Sequence, residues 1–298
     1  MVRLLYSFLL SATVFATTPT LADLWQEELD FDLADSDPNI LADKHVLFVS
    51  GVMNELVSYI PGYFVDCRES VEKELGGKSS YFGPPSKNSI SENAVILRDQ
   101  VLKAFFENGQ KPLVILAHSK GAAEILYLVL EQPAFMLDNL IEKIVLIQGA
   151  IGGTPLANEP NGWFAYEYLS RWIDFNAIAL SQIEARRVFA EAFESYLSQT
   201  TKAQQQNISS RIYYVRTQEE LENLSLSIRL GLKVARSDLK AKGANDGFLL
   251  TAAQMHPDIG VDLGVLQADH LSLVLGWITG LSANARRAFT RALFRKIY

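Results

Sequence analysis

Pro112-Leu113-Val114-Ile115-Leu116-Ala117-His118-Ser119-Lys120-Gly121-Ala122-Ala123 is the stretch that decides how the rest of the chain is read. Its first five residues form a short apolar run, the pattern of a buried strand. Ala117 and Gly121 flank a turn, and Glu124-Ile125-Leu126-Tyr127-Leu128 continues with helical spacing. Strand, sharp turn and helix in that order lift the Ser119 hydroxyl above the edge of a sheet. The small flanking residues let strand and helix pack closely around the turn. The competing reading is a serine near a helix start, where serine serves as a cap.

Working outward, His45-Val46-Leu47-Phe48-Val49-Ser50 is another short apolar run, broken by Gly51-Val52-Met53-Asn54-Glu55. A helix is expected after Pro61, a good first-turn residue, ending near Gly76-Gly77, with Tyr81-Phe82-Gly83-Pro84-Pro85 as loop. Ser91 with Glu92 opens a further helix that runs to Asn108-Gly109. Residues 144–148, 211–215 and 261–266 are the remaining strand candidates. Strands alternating with helices predict the α/β class: a mostly parallel central sheet covered by helices on both faces. Residues 158–206 interrupt the alternation with helical pattern alone. Phe189, Phe193, Tyr196 and Leu197 share one helical face there, and Trp163, Phe164, Tyr166, Tyr168 and Trp172 crowd its beginning. These aromatics are expected to fill the insertion's own core and to form a cap or lid over Ser119.

The chain has 298 residues, nearly half of them apolar, and a net charge of −7. That balance argues against a nucleic-acid binder, since phosphate contacts need clustered Lys and Arg. Residues 1–22 read as a signal peptide: Arg3, an apolar stretch from Leu4 to Thr17, and a small residue at a cut after Ala22, with a cut after Ala16 as the alternative. The stretch is shorter than a membrane-spanning helix requires. Export to the periplasm or beyond follows from that reading. Residues 23–43 are acidic and are expected to form an extended arm lying on the domain. Residues 44–298 then make up that domain, with the helical insertion inside it. Cys67 is the only cysteine, so no internal disulfide is possible, and a buried, inert thiol is expected.

Val49-Ser50-Gly51-Val52, Ala117-His118-Ser119-Lys120-Gly121, Gly153-Thr154-Pro155-Leu156-Ala157, Asn245-Asp246-Gly247 and Asp269-His270 together resemble the α/β-hydrolases of the bacterial lipase and esterase type. The resemblance spans roughly residues 44–280. Ala at the first elbow position occurs in small Bacillus lipases. Ser50 departs from the His that lipases often carry before the oxyanion glycine. The resemblance implies an α/β-hydrolase fold, a Ser-Asp-His triad in that chain order, an acyl-enzyme intermediate, and no cofactor. Some lipases bind a structural calcium, but no site in this sequence predicts a metal.

A serine hydroxyl is a weak nucleophile until a base takes its proton, and the base needs an acid to orient it. Of four histidines, His45 precedes the serine, and His118 sits in the elbow, where a neighbouring side chain is expected to point away from the site. His256 lies in an excursion loop. His270, after the last strand candidate, is the expected base. Asp246 is the expected acid, with Asp258, Asp262 and Asp269 as weaker alternatives. The oxyanion hole is expected from the backbone N–H groups of Lys120 and Val52, with Met53 as the alternative to Val52. The Lys120 side chain is expected to face solvent or the pocket rim. The implied substrate is a small-molecule or lipid ester, the latter with transient membrane-surface contact. An amidase, peptidase, thioesterase or acyltransferase on the same fold, or a non-catalytic lipid-binding relative, are the other readings.

Overall fold

The computed structural model describes residues 18–30, 37–52, 62–157, 181–220, 223–224, 243–276 and 279–298. Side chains two apart along a strand share a face of the sheet. In β1 (His45–Val49), Leu47 and Val49 enter one core and Val46 and Phe48 the other. In β3 (Leu113–His118), Leu113, Ile115 and Ala117 join the first core and Val114 and Leu116 the second. A strand apolar on both faces needs cover on both faces. On one side α3 (Ile90–Glu107), α4 (Ser119–Glu131), α5 (Ala134–Leu137), α6 (Gln182–Gln199) and α7 (Lys202–Ser209) supply it. On the other, α1 (Leu21–Asp30), α2 (Val65–Lys73) and α8 (Ala283–Ile297) do.

With β2 (Lys78–Phe82), β4 (Ile141–Ile147), β5 (Ile212–Gln218) and β6 (Val261–Gln267), the described strands line up as β2-β1-β3-β4-β5-β6, every neighbouring pair parallel. The order reverses between β1 and β3. In open parallel sheets the crevice outside the carboxyl ends of the strands at such a reversal is where ligands bind. Residues 50–52 and Ser119 leave the sheet at that crevice.

Three local readings change. Tyr81 and Phe82 belong to the edge strand β2 rather than to a loop; the strand is half-buried and lacks a continuous apolar run. Helix α3 is capped by Ser89, not Ser91: the Ser89 hydroxyl takes the Glu92 N–H and the Glu92 carboxylate takes the Ser89 N–H at 2.8 Å, a reciprocal capping box. The expected extended arm is a helix over Leu21–Asp30. Thr20 and Asp23 cap its start, with Asp23 N–H on Thr20 Oγ1 at 3.1 Å. Leu21 and Leu24 are buried, and Glu28 pairs with buried Arg291 at 2.8 Å.

In the insertion, Phe189 and Tyr196 of α6 lie buried in the core that contains α4, so they fill the domain's own interior. Trp163, Phe164, Tyr166, Tyr168 and Trp172 lie outside the described residues. Cys67 is buried, and burial pushes its thiol up to about 11. No described helix is long and apolar enough to cross a membrane.

Candidate active site

Strand β3 ends at His118, and Ser119 takes a left-handed φ of 55° before α4 begins. That backbone is costly for a residue with a side chain and persists only where the surroundings enforce it. They do so through two glycines. A Cβ on Gly51 would lie 2.7 Å from Ser119 Cβ, and a Cβ on Gly121 would lie 2.3 Å from the Ser50 carbonyl oxygen. Only bare backbone fits on either side of the turn.

The structure brings Ser119, His270 and Asp246 together. Ser119 Oγ lies 2.9 Å from His270 Nε2, and His270 Nδ1 lies 2.8 Å from Asp246 Oδ2. All three are buried. Asp246 Oδ1 accepts the Phe248 and Leu249 N–H groups at 3.0 and 2.8 Å. Its Oδ2 also accepts from the Thr217 hydroxyl and Gln254 Nε2, each at 3.2 Å. Every other contact of this carboxylate is with a donor, so it calls for a donor on the facing nitrogen as well. The imidazole therefore carries its proton on Nδ1 and offers the Nε2 lone pair to Ser119. The Asp246 carbonyl takes the His270 N–H at 2.9 Å, so the acid and base loops are latched through backbone as well.

The rival residues lie elsewhere. Asp269 Oδ1 takes the Leu271 and Ser272 N–H groups. Asp262 pairs with Arg216. His45 bonds Ser80 on strand β2 at 2.8 Å. His256 stacks on Phe193 and accepts the Asp258 N–H.

Of the expected oxyanion donors, Lys120 N–H sits at the first turn of α4. Val52 is half-buried in the loop after β1, and Met53 lies outside the described residues. The Gly51 N–H is already committed to the Tyr63 hydroxyl at 3.1 Å.

Two expectations are corrected. The Lys120 side chain does not face solvent. It is 2% exposed and paired with equally buried Glu124 one helical turn on. Asn93 Nδ2 bonds the same Glu124 oxygen at 2.6 Å. Burial pushes the Glu124 carboxyl up to about 7 against the pull of Lys120 and Asn93. His118 leaves the Ser119 hydroxyl as expected but does not leave the site: its ring lies 4.8 Å from that of His270. Its nitrogens reach Tyr63, Gln148 and the His270 carbonyl. Tyr63, Gln148, Thr217 and Gln254 carry no motif and were invisible in the sequence.

No family model matches the chain, and no curated protein matches it in sequence. Solved structures do match. A metagenomic carboxyl esterase is similar over 86% of this chain and 76% of its own, at 23% identity and a TM-score of 0.66. A mature lipase from Bacillus licheniformis is similar over 81% of this chain and 89% of its own, at 15% identity and a TM-score of 0.57. The fold is that of an α/β-hydrolase. On this fold Ser119 at the elbow, Asp246 after β5 and His270 after β6 occupy the carboxyl edge of the sheet, beside the strand-order reversal. A groove of about 410 Å³ runs between α6 and residues 255–258; Ile151, Phe189, Phe193 and Met255 line it together with Arg186 and Glu194, and none of Ser119, Asp246 and His270 does.

Proposed function

We propose that this α/β-hydrolase is an exported serine hydrolase of carboxylic esters, with acyl or lipid esters as substrates. The observation that carries the reading is the hydrogen-bonded row from Ser119 through His270 to Asp246. Ser119 Oγ attacks the acyl carbonyl while His270 Nε2 takes its proton. Asp246 holds the Nδ1 proton and stabilises the imidazolium without itself being protonated. The Lys120 and Val52 N–H groups receive the developing oxyanion; losing one such donor costs roughly a hundred- to a thousandfold in turnover. His270 then delivers its proton to the leaving alcohol. Water, deprotonated by the same nitrogen, releases the acid and restores Ser119.

For export, the cut after Ala16 is favoured over the cut after Ala22, because the later one removes Thr20, which caps α1, and fully buried Leu21.

Turnover of p-nitrophenyl acyl esters by wild type and Ser119→Ala tests the reading, together with fluorophosphonate labelling. Ester turnover and labelling that both vanish in the variant are expected. Equal rates in the two proteins would end it. A parallel panel of thioesters and amides, turned over faster than every ester, would move the reaction to another bond.

A further inference from the structure

We propose that Tyr63, His118 and Gln148 form a relay of positioning residues that sets the oxyanion loop and the base-bearing loop together. The proposal rests on the serine-hydrolase reading and adds to it residues that touch no substrate.

The donor directions along this row follow from one end. The Gly51 N–H is a donor only, so the Tyr63 oxygen accepts it at 3.1 Å and the Tyr63 proton goes to His118 Nδ1. The His118 ring then carries its own proton on Nε2. The two groups there are both acceptors: Gln148 Oε1 at 3.0 Å and the His270 carbonyl at 2.9 Å. With Gln148 Oε1 so used, its amide nitrogen donates to the Asp269 carbonyl at 2.8 Å and to Thr217 Oγ1 at 2.7 Å. The Thr217 hydroxyl donates to Asp246 Oδ2 at 3.2 Å. No step requires two donors or two acceptors to face each other. The row starts at the loop that offers the Val52 N–H and ends at the acid of the triad.

Burial makes the row consequential. His118, Gln148 and Thr217 are at most 1% exposed and Tyr63 is 5% exposed. A break therefore strands a polar group where water does not replace the lost partner. Burial and the adjacent His270 hold the His118 imidazole well below its usual value, so it stays neutral beside a base that becomes cationic during turnover.

Two further observations point the same way. Gln148 sits at a φ of 50°, a backbone cost borne at a residue whose side chain joins His118, Thr217 and the Asp269 carbonyl. The backbone of Tyr63 pairs with Leu275 and the Phe64 N–H donates to the Val274 carbonyl at 2.7 Å, so the tyrosine is anchored to the segment that follows His270. The sheet fixes only the first residue of each loop, through the Ser50 N–H on the Phe82 carbonyl and the Ala268 N–H on the Gln218 carbonyl, each at 3.1 Å; the residues beyond need a further constraint. The relay supplies that constraint: it turns the Gly51 N–H inward, which leaves the next N–H to face the reaction. It also grips the carbonyls of Asp269 and His270 behind the imidazole.

The test uses the full chain with Tyr63→Phe, Gln148→Met and the double variant, assayed on a p-nitrophenyl ester well below each melting temperature. Tyr63→Phe is expected to lower kcat about ten- to a hundredfold with KM within about twofold of wild type, the signature of a displaced rather than removed catalytic group. The double variant is expected to lose no more than the worse single variant, because either change breaks the same row. Should the variants fold poorly, ¹⁵N spectra of wild-type imidazoles read the relay directly: His118 is expected neutral with its proton on Nε2. A kcat for Tyr63→Phe within twofold of wild type overturns the proposal, as do multiplying losses in the double variant or a His118 protonated on Nδ1. These outcomes are separable from failure of the parent reading. Turnover that Ser119→Ala leaves intact removes the hydrolase mechanism, whereas Ser119-dependent turnover indifferent to Tyr63→Phe removes the relay alone.

Discussion

Replacing Gly121 with alanine sets two effects of similar size against each other. Gly121 lies in the first turn of α4, without a positive φ. An alanine in a helix is favoured over glycine by about 1 kcal/mol. Against that, the new methyl group would stand 2.3 Å from the Ser50 carbonyl oxygen and 3.0 Å from Val49 Cγ1. The gap must open by roughly an ångström to reach ordinary van der Waals contact. Ser50 has little freedom to yield, because its N–H is bonded to the Phe82 carbonyl at 3.1 Å and its hydroxyl to Tyr81 at 2.9 Å. Overpacking against fixed backbone costs about 1–3 kcal/mol, so the clash outweighs the helical gain and Gly121→Ala melts a few degrees lower. The larger effect falls on the reaction. Ser50 leads into Gly51 and Val52, so the displaced loop carries an oxyanion donor with it. A misplacement of that size costs about a hundredfold in kcat, with KM little changed. The assay pairs thermal unfolding with ester turnover, and Gly280→Ala is the control, since a Cβ there meets nothing within 4 Å. A Gly121→Ala protein as stable as wild type, with kcat within about twofold, would refute the reasoning.

Asp246→Asn keeps the shape of the acid but favours the wrong imidazole tautomer; a fall in kcat of about 10⁴ with nearly unchanged KM is expected, and a loss below tenfold would contradict the assigned role. Glu124, lifted from an ordinary 4.5 to about 7 by burial, contributes stability that is fully present below pH 4.5 and is lost as pH rises through 7. The stability of wild type relative to Glu124→Gln is therefore expected to decline by on the order of 2–3 kcal/mol between those limits, and chemical denaturation giving a pH-independent difference would refute it. A chain beginning at Asp23 is expected to be less stable than one beginning at Thr17 by roughly 2–4 kcal/mol, from loss of the Thr20 cap and the buried Leu21 side chain; equal melting temperatures would refute that.

The sequence disclosed the parts of this molecule that are local. The strand and turn around Ser119 are contiguous, and each strand buried on both faces announces itself as an apolar run. Asp246 was legible because the Asn245-Asp246-Gly247 turn lies between β5 and β6, and His270 because it closely follows β6; chain order then suggests their roles. The rest depends on packing between distant segments. Strand β2 is an edge strand with mixed side chains and carries no run. Helix α1 carries four acidic residues in ten, and its inward glutamate makes sense only beside Arg291, 263 residues later. Lys120 and Glu124 are spaced as a helical pair, yet their burial follows from Asn93 on another helix. Tyr63, His118 and Gln148 come from three separate places in the chain and acquire a common purpose only where those places meet.

The first and last described helices are joined by ion pairs that belong to a protein's middle more than to its ends. Arg291 lies between Glu28 at 2.8 Å and Glu74 at 2.7 Å, and Lys296 reaches the Pro19 carbonyl at 2.6 Å. A nascent chain therefore lacks the counter-ion for Glu28 until Arg291 has been synthesised, 263 residues later, so this face closes only after all six described strands have been made. The same clasp brings Pro19 and Lys296 within reach of each other. A short linker from Tyr298 back to Thr18, with new ends opened in an exposed loop, yields a circularly permuted protein whose central sheet keeps its strand order.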